Sequence, residues 1–199
     1  MNFRPLKGFF FALLFAQIAQ ASENAAGDTP GGLQACGMKP YFECEAPKGW
    51  SVLRNPEFSS KRSKLYGLQL LGPKGPTGSH VRIEVDYFSP GNKVHKTPEK
   101  YIRVVARLDG GIGLPGEKST QPEAVTFRGL PATRFTVKTF DFVKVSSTSD
   151  KKIGIQEEHL VIPAGKGFYV LEYTAPMGVI NEFRPVFERF KDSFFMLAK

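Results

Sequence analysis

The chain has 199 residues, 20 glycines, 15 prolines, two cysteines and a formal net charge of +8. That length suits one domain with a short appendage. An apolar share of 41% can fill a core, which excludes wholesale disorder, and the composition excludes collagen-like and coiled-coil chains.

Met1 to Ala21 reads as an export signal. Arg4 and Lys7 supply the positive start, Phe9 to Phe15 the short apolar run, and Ala19-Gln20-Ala21 the small residues at a cleavage site. The expected location is therefore periplasmic or secreted. No later stretch approaches the ~20 apolar residues of a transmembrane helix. Residues 22–35 are expected to be a flexible linker, and 36–199 a single domain. Leu33-Gln34-Ala35-Cys36 looks like a lipoprotein cleavage box, but the polar stretch Ser22 to Gly32 separates it from the apolar run, so lipidation is not expected.

Cys36 and Cys44 are the only cysteines. In an oxidising compartment they are expected to form a disulfide that pins the start of the domain. A redox-active pair would want CxxC spacing, and a zinc site would want two more ligands near by.

Trp50 to Leu53 is expected to be a first strand and Lys64 to Leu71 a second. The Gly- and Pro-rich run Gly72 to Ser79 turns the chain. From His80 to Phe88, Val81, Ile83, Val85 and Tyr87 fall on one face, with Arg82, Glu84 and Asp86 on the other. That is the pattern of a half-buried strand.

Thr97-Pro98-Glu99 opens a helix, with a hydroxyl cap, proline in the first turn and an acid at the positive dipole end. Its expected extent is to Leu108, with Tyr101, Val104, Val105 and Leu108 as the apolar stripe. Lys96, Lys100, Arg103 and Arg107 recur at helical spacing and form a basic face. They are the candidate partner-binding residues, suited to an anionic envelope surface or an acidic protein; the alternative is an ordinary solvated helix face.

A Gly- and Pro-rich loop covers Asp109 to Pro122. Strands are expected at Ala124 to Arg128, Ala132 to Val143, Lys152 to Ile162 and Phe168 to Thr174, followed by a helix from Pro185 to Phe195. Phe183, Val186, Phe187, Phe190 and Phe194 form its apolar stripe, and Pro185 is placed in its first turn. Short links between strands imply a mainly antiparallel sheet on which both helices bury their stripes. The fold class is α+β.

From Ala46 to Leu197 the chain resembles the PsbP-like family of exported proteins. The likeness lies in Pro47-Lys48-Gly49-Trp50, Thr97-Pro98-Glu99-Lys100-Tyr101, Gly129-Leu130-Pro131-Ala132, Phe168 to Pro176 and Phe187 to Phe194. It implies a central antiparallel sheet flanked by helices, an α/β/α sandwich. It also implies a non-enzymatic accessory or binding protein acting through a protein partner or the cell envelope. Family members assist photosystem II assembly in plants and algae, are periplasmic proteins or lipoproteins in bacteria, and in one eukaryotic case bind a small GTPase. These motifs mark the fold, so no functional residue is carried over from them.

Gly111 to Gly116 matches G-x-G-x-x-G by letter, but it follows a helix instead of a strand and is broken by Pro115. The geometry that sets a pyrophosphate on a helix N-terminus is missing, so a mobile loop is expected. No nucleophile elbow, zincin or Walker sequence occurs, and no enzyme activity or cofactor is expected. Nucleic acid is not an expected partner, and the protein is expected to be monomeric.

The remaining chemistry lies in the penultimate strand. Ile153, Ile155, Glu157, His159 and Val161 share a face if that strand is regular. Glu157 and His159 would then be half-buried neighbours able to relay a proton or bind a metal. The preferred reading is that a bulge turns Glu157 outward, or that His159 is hydrogen-bonded near a sheet edge. If Ile162 pairs with Phe168, Glu158 lies opposite Glu172 and a cation is needed between them, from Arg134, Lys138 or Ca²⁺. Glu157, His159 and Glu172 are thus the candidate metal ligands, the centre of an alternative function as a periplasmic small-ligand or metal-binding module. His80 and His95 are expected to be solvated.

Overall fold

A computed structural model describes residues 32–54, 63–108, 116–144 and 150–198. The signal segment, nearly all of the G-x-G-x-x-G run and the polar run after Lys144 lie outside the described residues. The elements, in chain order, are β1 (Leu33–Met38), β2 (Phe42–Pro47), β3 (Ser51–Leu53), β4 (Leu65–Lys74), β5 (His80–Phe88), α1 (Pro98–Val105), β6 (Lys118–Ser119), β7 (Glu123–Phe127), β8 (Leu130–Lys144), β9 (Asp150–Ala164), β10 (Gly167–Pro176), α2 (Ile180–Ser193) and β11 (Phe195–Met196).

Eight strands form the main sheet in the order β3-β4-β5-β10-β9-β8-β6, with β7 also on β8. Its pairings are antiparallel throughout. A second sheet, β1-β2-β11, is antiparallel too. Each strand of the main sheet sends alternate side chains to opposite faces. One face carries Leu68, Leu70, Ile83, Val85, Leu160, Ile162, Leu171 and Tyr173, packed with Phe187 and Phe190 of α2 and Phe42 of β2. The other carries Leu65, Phe88, Phe135, Val161, Phe168 and Val170, packed with Tyr101 and Ala106 at α1.

The expected sandwich holds in part. The sheet is antiparallel and has a helix on each side, but α1 is only eight residues long and covers a limited area. On the α2 side, the small sheet shares the cover.

Four expectations are corrected. β1 begins at Leu33, so the last residues of the 22–35 segment lie in a strand. The main-chain pairing that holds them is with β2, which the alternation of Phe42 to Pro47 was too short to announce. α2 starts at Ile180, so Pro185 lies inside the helix and not in its first turn. Tyr173, whose hydroxyl donates to the Ile180 carbonyl at 2.7 Å, anchors that earlier start. α1 stops at Val105 because Arg107 adopts a left-handed φ of 54°. Val104 and Leu108 are exposed, at 53% and 45%, and the buried side is Tyr101 with Ile102, Val105 and Ala106.

Cys36 and Cys44 face each other across the β1–β2 ladder and are joined by a disulfide.

Candidate functional site

The register of the hairpin β9–β10 decides the site. Gly165 and Lys166 form its turn, and Ile162 pairs with Tyr169. The sequence reading paired Ile162 with Phe168, one residue out. A slip of one residue exchanges the two faces. Glu172 therefore lies opposite His159, and Glu158 opposite Tyr173 on the other face. There Glu158 is held by both guanidinium nitrogens of Arg184 from α2, one at 2.7 Å. Glu158 and Glu172 do not face each other, so no cation is needed between them, and the partner of Glu158 is Arg184. Arg134 pairs instead with Glu123, at 2.8 Å.

His159 stands in a transverse row that crosses five strands. Gln69 pairs with Glu84, Glu84 with Glu172, Glu172 with His159, and His159 with Phe135. The next row carries Arg82, Thr174 and Glu157, and Asp86 lies two residues beyond Glu84 on the same face. β9 keeps its register through this stretch, so no bulge turns Glu157 away.

The imidazole is 2% exposed. Its ring stacks on Phe135, with centroids 4.7 Å apart. Tyr101 reaches down from α1 and places its hydroxyl 3.1 Å from Nδ1. A Glu172 oxygen lies 3.6 Å from Nδ1, and a Glu157 oxygen lies 3.5 Å from Nε2. Nε2 makes no hydrogen bond. Gln69 donates to Glu84 at 3.0 Å, and the Thr174 hydroxyl donates to Glu172 at 2.8 Å.

The electrostatics follow from burial and like charge. Burial, then the Glu172 charge, raises the Glu84 carboxyl above its ordinary range. Burial, then Glu84 and Glu172, pushes Asp86 well above it. The Tyr101 hydroxyl is raised by burial and by the charges of Glu172, Asp86, Glu84 and Glu157, so all four carboxylates bear on one phenol.

The three candidate metal ligands Glu157, His159 and Glu172 are thus neighbours, but they do not form a cage. The two ring nitrogens face different carboxylates, on different sides of the imidazole. A bound ion needs ligands that converge on one point. Among the described residues, no three His, Cys, Asp or Glu groups do so.

Sequence reasoning missed Tyr101, Glu84 and Asp86 as members of this site. The alternation of β5 placed both acids on the polar face. It carried no sign that Tyr101 would fold over that face.

The basic residues of α1 form a second surface. Thr97 caps the helix by accepting from the Lys100 N–H at 3.2 Å. Lys100, Arg103 and Val104 are exposed on the helix, Lys96 and Val94 are exposed just before its cap, and Leu108 is exposed just beyond its end. Arg107 is not part of that face. It lies beyond the helix end and pairs with Glu117 at 2.7 Å. His95 is not simply solvated either. It packs edge-on against Tyr101 and Phe88, and burial followed by the Lys100 charge lowers its pKa. His80 contacts the Gly72 carbonyl through Nδ1, at 2.7 Å.

No family model matches the chain, and no curated protein is similar to it in sequence. Solved structures are similar in fold. The solution structure of cyanobacterial PsbP from Synechocystis is 11% identical, with a TM-score of 0.49, over 82% of this chain and 92% of that one. LpqN, involved in cell envelope biogenesis of Mycobacterium tuberculosis, is 15% identical, with a TM-score of 0.46, over 83% and 92%. The Ran-binding protein Mog1p of Saccharomyces cerevisiae is 9% identical, with a TM-score of 0.48, over 84% and 96%. At these identities the likeness is one of fold alone.

Proposed function

We propose that this chain is an exported accessory protein that binds an anionic envelope surface through the outer side of α1 and catalyses no reaction. The observation that carries the reading is the composition of that side. Lys100, Arg103 and Val104 are exposed on α1, with Lys96 and Val94 exposed just before it and Leu108 just after it; Val94, Val104 and Leu108 are 45%, 53% and 45% exposed. Cations bring such a surface to a layer of phosphate groups, and the apolar side chains enter the boundary beneath them. The opposite side of α1 is seated on the sheet by Tyr101 and Ala106, so the strip faces outward in a set orientation.

Export is supported by the leader-like start of the sequence and by the disulfide. Among the described residues, no helix is long and apolar enough to cross a membrane. A non-catalytic role is supported by the engagement of the reactive side chains. Both cysteines are bridged, and His159 is bonded to a tyrosine, not to a serine, threonine or thiol nucleophile.

The test is co-sedimentation of the mature chain with vesicles. Phosphatidylglycerol vesicles should retain it at low salt, and phosphatidylcholine vesicles should not. The double variant Lys100→Glu, Arg103→Glu should lose at least tenfold in retention. Equal retention on both lipids, or an unaffected double variant, rejects the reading.

A further inference from the structure

The polar row under and beside α1 is not explained by an envelope-binding strip. Glu84, Asp86, Glu157 and Glu172 stand on three adjacent strands, β5, β10 and β9, on one face of the sheet. Like charges placed across strands oppose folding. Among the described residues, no lysine or arginine forms an ion pair with any of the four. Arg82 is the one cation whose charge bears on Glu84 from the same strand. This shortage arises in a chain whose net charge is +8.

Hydrogen bonding shows the same imbalance. Gln69 supplies one donor to Glu84, and Thr174 supplies one to Glu172. His159 adds an independent sign. It is 2% exposed and aimed into the cluster, yet its Nε2 has no hydrogen-bond partner. Buried polar atoms in native proteins are nearly always satisfied, so a buried ring nitrogen whose nearest acceptor or donor is a Glu157 oxygen at 3.5 Å leaves room for a further partner.

We infer that this row binds a small organic cation carrying guanidinium or primary ammonium groups. The geometry favours that class over a metal ion. The acceptors are strung along the row and do not converge. From Glu84 on β5 to Glu157 on β9 is two strand spacings, roughly 10 Å. A short chain with a nitrogen head at each end spans that distance and brings several N–H donors to it. The open side of the row is available. Gln69, Arg82, Glu84, Glu157 and Glu172 all keep partial exposure, while α1 covers the His159–Phe135 end.

The experiment is isothermal titration of the mature chain with agmatine, with spermidine, and separately with Ca²⁺ and Mn²⁺. A backbone NMR shift map accompanies each titration. One or both amines should bind with submillimolar affinity and shift amides of β5, β9 and β10. Glu84→Gln and Glu172→Gln, each isosteric and checked for an unchanged fold by circular dichroism, should weaken binding at least tenfold. Three outcomes overturn the inference. They are no amine binding up to ten millimolar, binding that both variants leave intact, or saturable metal binding at the row in place of the amines.

Discussion

The Tyr101 hydroxyl lies 3.1 Å from Nδ1 of His159, and it joins α1 to the middle of the sheet. It is the polar contact that the helix makes with the acidic row, inside a cluster otherwise made of Phe88, Phe135 and Phe168. Tyr101→Phe keeps those ring contacts and removes the hydroxyl. It leaves Nδ1 of a buried histidine with the 3.6 Å Glu172 contact in place of a hydrogen bond. The expected cost is about 1–2 kcal/mol, read by urea unfolding. An unchanged midpoint would show that the contact contributes nothing to the seat of α1.

On the opposite face, Glu158 is buried and bonded bidentately by Arg184. Arg184 keeps part of its side chain in solvent, so the pair is screened and its loss costs less than that of a fully enclosed ion pair. Arg184→Ala is expected to destabilise by about 2 kcal/mol, since it leaves the buried carboxylate with Gln156 Nε2, at 3.2 Å, as its side-chain donor. Glu158→Gln in the Arg184→Ala background should recover part of that loss. A double-mutant cycle with no coupling would contradict this account.

Asp86 and Glu84 give a pH dependence with a defined sign. Both carboxyls are raised in the folded state, mainly by burial. The fold therefore holds protons that the unfolded chain releases. This contribution is fully present below the ordinary carboxylate range and is lost as pH rises through the raised folded values. Asp86→Asn removes the burial of a charge. It should be more stable than wild type at pH 8, with the difference shrinking toward pH 4. Unfolding curves at four pH values across that interval give the comparison. A difference that grows on acidification would reverse the sign and refute it.

The bridge between Cys36 and Cys44 closes a short hairpin loop. Replacing both with alanine should cost about 2 kcal/mol, seen as a lower denaturation midpoint. The native protein should titrate with no free thiols. Two reactive thiols per chain would mean that the bridge does not form.

Local rules carried much of the fold. The alternation from His80 to Phe88 assigns β5 and both of its faces, because a strand has period two whatever lies against it. Thr97, Pro98 and Glu99 start α1, because capping is settled within one turn. The two cysteines pair because no others compete for them. The common face of Glu157 and His159 is the regular-strand alternative; the preferred reading, a bulge that turns Glu157 outward or a histidine near a sheet edge, does not hold in this central strand.

Tertiary structure decided what those faces meet. The short strands β1, β2 and β11 are too brief to be announced by pattern, and they exist because each pairs with another. The end of α1 at Arg107 moved one cation off the basic face and into an ion pair with Glu117. A two-residue turn at Gly165 and Lys166 set a register that set Glu172 against His159 and handed Glu158 to Arg184, 26 residues away in the chain. The sequence by itself therefore determined the longer strands, the start of α1 and the alternation of the strand faces, all of which depend on near neighbours. Which acids share a row, and which helix closes over them, depended on register and packing between distant segments, where a shift of one residue exchanges core and surface.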